Sequence, residues 1–174
     1  LRRAIADKVA RDNGLEVDPA REIVVTIGSS GGFACALMGL LNPGDGILLF
    51  EPYYGYHLNA ASLAGLEPQF VALDPPRFDI IEARIRAAIR PSTRAIVLCT
   101  PSNPSGRVYG PADFATIERI AAEFDLLVIT DEIYEYIVYD GRRHISPATH
   151  SPALRNRTVA LMGLSKTFSI TGWR

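Results

Sequence analysis

The sequence predicts an α/β fold of three layers, with a mostly parallel β-sheet held between two layers of helices. Three observations predict it. Apolar runs such as residues 95–99 and 126–130 are continuous rather than alternating, which marks strands buried on both faces. Segments of helical periodicity separate those runs, so strands and helices take turns along the chain. Small and polar residues follow the ends of the runs, where ligands sit in folds of this kind.

Taken in order, Leu1, Ile5 and Val9 share one helical face, and Asn13-Gly14 supplies a stop. Residues 23–27, Ile-Val-Val-Thr-Ile, form a β-branched run and are expected to be a strand ending at Gly28-Ser-Ser-Gly-Gly32. A helix is expected over 33–41, closed by Asn42-Pro-Gly44, then a strand over 46–50 that Pro52 breaks. A helix over 56–64 ends at Gly65, and a strand covers 69–73. Asp79 can cap a helix running through Ile89, with Arg84, Arg86 and Arg90 as a solvated face. There follow a strand over 94–100, a helix over 111–124 with Pro111 in its first turn, and a strand over 126–130. Residues 158–162 are the last strand, and 140–152 read as a loop.

Composition narrows the function. The 174 residues are 48% hydrophobic and 21% charged, as expected for one globular core, and formal net charge is −1. That balance offers no basic surplus for a nucleic acid partner. The apolar runs are too short to span a bilayer, so no membrane partner is expected. Cys35 and Cys99 lie in apolar stretches and read as buried, reduced thiols, which points to the cytoplasm. His57, His144 and His150 have no ligand-like spacing with each other or with cysteine, so no metal site is expected. Leu1 is not a start methionine and Arg174 ends the chain inside a motif, so the sequence reads as a piece of a longer protein.

The chemistry-bearing residues fall after buried strands. Gly28-Ser-Ser-Gly-Gly32 could cradle a phosphate at a helix start or be a plain turn. Asp131, at the end of an apolar run, could be a helix cap or the partner of a buried cation. Tyr134 lies three residues on, within reach of the same ligand. Asn103-Pro104 could be a simple turn, Tyr54 a core aromatic, and Arg174 either a surface residue or a fork for a phosphate. Lys166, between Ser165 and Thr167, does not fit an exposed helix-face lysine and is expected to be partly desolvated. An amine, a carboxylate, a phenol, an amide and a guanidinium after buried strands make a set able to hold pyridoxal 5'-phosphate. The amine can form a Schiff base with the aldehyde, and the carboxylate can keep the pyridine nitrogen protonated.

Together these segments resemble the large domain of a class I/II aminotransferase, of the fold-type I pyridoxal-phosphate-dependent superfamily. The matching stretches are Gly28-Ser-Ser, Asn42-Pro-Gly-Asp45, Glu51-Pro-Tyr-Tyr54, Ser102-Asn-Pro-Ser-Gly106, Asp131-Glu-Ile-Tyr134 and Ser165-Lys-Thr-Phe-Ser-Ile-Thr-Gly-Trp-Arg174. The resemblance implies that Lys166 carries the Schiff base and moves a proton. It implies that Asp131 pairs with the pyridinium nitrogen, and that Asn103 and Tyr134 hydrogen-bond the phenolic oxygen. It further implies that Tyr54 stacks on the ring, and that Ser29, Ser30 and Arg174 bind the phosphate. Family members commonly carry a serine three residues before the lysine, where this chain has Gly163.

The implied activity moves an amino group between an amino acid and a 2-oxo acid, in a homodimer. Residues 1–174 are then an incomplete cofactor-binding large domain, lacking an N-terminal segment and a C-terminal small domain. Such a piece alone is expected to be inactive and prone to associate. Two other readings use the same residues: a carbon–sulfur or related lyase, and the effector-sensing domain of a transcription regulator.

Overall fold

The computed structural model describes residues 1–173. Five strands form one sheet: β1 (Gly46–Glu51), β2 (Glu67–Ala72), β3 (Thr93–Cys99), β4 (Leu127–Asp131) and β5 (Thr158–Leu161). Their order across the sheet is β2-β1-β3-β4-β5, and every neighbouring pair is parallel. The continuous apolar runs explain this. A strand such as β3, buried almost throughout, needs a helix layer on each side, and parallel pairing by crossover helices supplies both.

The helices are α1 (Arg2–Asn13), α2 (Gly28–Leu40), α3 (Gly55–Leu63), α4 (Glu82–Ala88), α5 (Pro111–Glu123) and the short α6 (Pro152–Arg155). Residues of α2 and α3 pack on one face of the sheet, with Phe33, Leu37 and Ala61 against Leu49 and Val97. Residues of α4 and α5 pack on the other, with Ile85, Phe114, Ile117 and Ile120 against Leu48, Ile96 and Val128. Helix α1 ends at Gly14 in the left-handed conformation, a backbone that glycine adopts without steric cost. Pro111 opens α5, where its missing N–H costs nothing, and the Asp113 carboxylate accepts from the Gly110 amide at 3.0 Å.

Phe114 is fully buried at the centre of the second face. Phe114→Ala is expected to cost about 3–5 kcal/mol of stability, as loss of a packed aromatic plus the cavity left behind, measured by denaturant unfolding. A loss under about 1 kcal/mol would place this helix outside the core.

Several expected elements differ. Residues 23–27 are not a strand; Val24 and Ile27 are 82% and 75% exposed. A β-branched run becomes a strand only beside a hydrogen-bonding neighbour, and none pairs with it among the described residues. The glycine-rich turn is itself helical, so α2 begins at Gly28 rather than at Phe33. Asp79 does not cap α4, which starts at Glu82 after Ile81; its carboxylate instead pairs with Arg77 and Arg107. Arg84 and Arg86 are engaged with Asp74 and with Glu82 and Glu123, rather than simply solvated. Within the expected loop, Pro147–Thr149 form a single 3-10 turn. Cys35 is exposed, contrary to expectation, because it lies on the outer side of α2; Cys99 is half-buried, and both are free thiols.

Candidate active site

The carboxyl ends of β1, β3, β4 and β5 open into one cleft of ≈ 510 Å³, counted to its solvent mouth. It is lined by Ser29, Ser30, Tyr54, Asn103, Asp131, Tyr134 and Lys166, together with Gly28, Cys99 and Ile133. Every described member of the set predicted from sequence is therefore in one place. Arg174 lies outside the described residues.

Parallel pairing puts these groups together. Register sets Cys99 on β3 beside Asp131 on β4, and Asp131 beside Leu161 on β5, so the three strands end level with one another. Asp131 is 6% exposed and its Oδ2 lies 3.0 Å from His57 Nε2. Its Oδ1 accepts from the Ile133 amide at 3.3 Å. The turn after β4 then presents Tyr134, whose hydroxyl accepts from Asn103 Nδ2 at 3.4 Å. Burial pushes the Tyr134 phenol above its usual range, and the Asn103 hydrogen bond partly offsets that. Burial, with the Asp131 carboxylate nearby, raises the Cys99 thiol to about 12, so it stays protonated.

The start of α2 also lines the cleft. Its N-cap position is Ile27, which offers no side-chain cap, and Gly28 takes a φ of +67° to turn the chain into the helix. Gly28, Ser29 and Ser30 of that first turn line the cleft, at a helix start whose dipole favours an anion. Tyr54 sits at the N-cap of α3, half open to solvent, with its ring edge-on to His57 at 5.4 Å. Lys166 lines the cleft but is exposed rather than partly desolvated. The chain has two lysines; Lys8 is engaged with Asn13 and Glu135, and only Lys166 lines the cleft.

His57 is the site residue that sequence reasoning passed over. It is 2% exposed, packs against Phe33 at 4.7 Å between ring centres, and holds Asp131. The available signal was its spacing: three residues after Tyr54 places it one helical turn along α3, facing the same strand ends. Gly163 also has a physical account. A Cβ there would fall 2.7 Å from Ile133 Cδ1, so Ile133 fills the space that a serine at this position would enter.

The donor set fits a phosphorylated pyridine aldehyde. Uncapped amides and two hydroxyls suit the phosphate, a buried carboxylate suits a protonated ring nitrogen, a phenol–amide pair suits a ring oxygen, and an amine suits the aldehyde.

Known proteins resemble this chain along its whole length. The family described as aminotransferase class I and II matches residues 1–174. A probable N-succinyldiaminopimelate aminotransferase DapC of Mycobacterium tuberculosis is 38% identical over 176 residues, which cover 100% of this chain and 44% of that protein. Methionine aminotransferase of Escherichia coli K12 is 37% identical over 174 residues, with coverage of 100% and 45%. The structure of N-succinyldiaminopimelate aminotransferase from M. tuberculosis superposes with a TM-score of 0.94 at 37% identity, over 99% of this chain and 45% of that one. An aromatic aminotransferase from Pyrococcus horikoshii OT3 gives 0.94 at 36% identity, over 99% and 46%. The chain thus spans under half the length of these relatives.

Proposed function

The chain belongs to the class I and II aminotransferases, a family that works with pyridoxal phosphate, and from that premise we propose that it supplies the cofactor site of an enzyme moving an amino group between an amino acid and a 2-oxo acid. The observation that carries the proposal is the single cleft gathering Lys166, Asp131, Tyr134, Asn103, Tyr54, Ser29 and Ser30 at the carboxyl ends of parallel strands.

In this reading Ser29, Ser30 and the first-turn amides of α2 bind the phosphate, with Arg174 as a further ligand. Tyr54 lies against one ring face. Tyr134 and Asn103 hydrogen-bond the phenolic oxygen. Asp131, buried and oriented by His57, keeps a proton on the ring nitrogen, because an adjacent carboxylate favours the cationic form. Lys166 holds the group covalently through Nζ and moves the proton at the substrate Cα. When bound, pyridoxal phosphate would supply an electron sink for the charge that develops at Cα. The residues do the positioning; the ring is the electron sink.

The reading extends to a homodimer and to a cytoplasmic setting. Exposed apolar residues such as Val24, Ile27, Leu63 and Trp173 support the first, since a monomer seldom leaves so many uncovered. Two free thiols support the second. Among the described residues no helix is long and apolar enough to cross a membrane.

The test is an amino-transfer assay on the whole protein, not on residues 1–174 alone, reconstituted with pyridoxal phosphate and offered a panel of amino acids with a panel of 2-oxo acids. Stoichiometric appearance of a new amino acid and a new oxo acid is expected. Elimination of the amino acid side chain without amino transfer would overturn the reading.

A further inference from the structure

We propose that Glu132 and Glu135 are positioning residues: two buried carboxylates that clamp the Asp131–Tyr134 turn from two sides and so set where Asp131 and Tyr134 stand in the cleft. The inference rests on the functional reading above. Along this turn the residues that line the cleft are Asp131, Ile133 and Tyr134, while Glu132 and Glu135 point away from it into the protein.

Their burial demands explanation. Glu132 is 0% exposed and Glu135 6%, although a glutamate is almost never fully buried unless paired. Both are paired, and with groups from remote parts of the chain. Glu132 Oε1 accepts from Thr130 Oγ1 at 2.6 Å and Ser146 Oγ at 3.0 Å, and Oε2 lies 2.7 Å from His144 Nε2. Glu135 Oε1 accepts from Lys8 Nζ at 2.5 Å, and Oε2 from Asn13 Nδ2 at 2.7 Å. Lys8 and Asn13 also bond each other at 2.8 Å, so α1 offers them as one unit. The first glutamate thus fastens the turn to the segment of His144 and Ser146, and the second fastens it to α1.

Stability alone does not account for this arrangement. Desolvating a carboxylate costs several kcal/mol, and replacing buried ion pairs with apolar residues is often neutral or stabilising. What hydrogen-bonded carboxylates supply and apolar packing does not is direction. The turn transmits that direction to the cleft. Its backbone runs from Glu132 N to Leu161 O at 2.8 Å and from Glu135 N to Glu132 O at 3.0 Å. The Ile133 amide then bonds Asp131 Oδ1, and Tyr134 meets Asn103 across the cleft. A tilt of the turn therefore moves the carboxylate and the phenol together. Displacements of about 1 Å at such groups cost on the order of 10²-fold in rate.

Two variants test the inference in the protein reconstituted with pyridoxal phosphate. Glu132→Gln keeps the shape and turns one acceptor into a donor facing His144 or the two hydroxyls. Lys8→Met removes the cation from Glu135 without touching the turn. For each, the dissociation constant of pyridoxal phosphate and the visible circular dichroism per bound cofactor are read, with thermal melting alongside. The dissociation constant is expected to rise about tenfold, the lower end of what losing an outer-shell partner costs a bound metal, and the dichroism per bound cofactor to change. Lys8→Arg, which keeps the cation, is expected to restore both toward the unsubstituted values. A purely structural role predicts a lower melting temperature with an unchanged dissociation constant and dichroism in the folded protein, and that result would overturn the inference. If Glu132→Gln does not fold, Ser146→Ala, which removes one donor to Glu132 Oε1, takes its place on that side, while Lys8→Met, at a partly exposed side chain, reads the Glu135 side. Absence of any bound cofactor in the unsubstituted protein would instead defeat the reading of the cleft, and this inference with it.

Discussion

Lys166→Ala is expected to abolish amino transfer, by about 10⁴-fold or more, the upper end of what a general base contributes, because the same amine also holds the cofactor. The fold should not notice. Lys166 is exposed and, among the described residues, no hydrogen bond or ion pair ties it to the core, so its removal falls in the range of surface substitutions, within about 0.5 kcal/mol. Rate and melting temperature are therefore expected to separate cleanly. Residual cofactor binding should persist through Ser29, Ser30 and the start of α2, which the substitution leaves in place. Steady-state turnover and differential scanning calorimetry on the same preparation check both halves. Turnover within tenfold of the unsubstituted protein would remove Lys166 from the chemistry.

Asp131→Asn is expected to lower turnover by about 10²–10³-fold, the usual cost of removing one preorganised electrostatic partner from a reacting centre. The amide matches the carboxylate in size, so the β4 end and the Ile133 amide contact can persist. What it cannot do is carry the negative charge that keeps a ring nitrogen protonated. His57 would also face an amide instead of a carboxylate oxygen at 3.0 Å. Cofactor affinity should fall much less than turnover, since the residues proposed to hold the phosphate, Ser29 and Ser30, lie on α2 and are untouched by the substitution. The split between the turnover number and the cofactor dissociation constant is the measurement. Near-native turnover would reduce Asp131 to a structural residue of the strand end.

The parallel sheet was legible because its strands are buried on both faces. Residues such as Ile96, Val97 and Leu98 have no polar alternation to mislead, and their ends mark the cleft without further information. The cleft residues were legible for the same reason: Asp131 and Asn103 follow strands whose ends the sheet brings level. What depends on a partner was not legible. The β-branched run at 23–27 looks like a strand by composition, yet strand formation needs a neighbour. Gly28-Ser-Ser-Gly-Gly32 looks like a loop by propensity, yet it forms the first turn of α2, where packing against β5 overrides the cost of glycine in a helix. Asp79 looked like a cap until Arg77 and Arg107 took its carboxylate. His57 was hidden because a lone histidine carries no signal until the fold sets Asp131 beside it.

The central claim is that Lys166 is the covalent attachment point for pyridoxal phosphate. Borohydride reduction of the reconstituted protein, followed by peptide mapping, tests it most directly. This chain offers two lysines, and Lys8 is tied to Glu135 and Asn13, so a single labelled peptide containing Lys166 is the predicted result. Label on Lys8, or no label on Lys166 while cofactor is bound, would contradict the account.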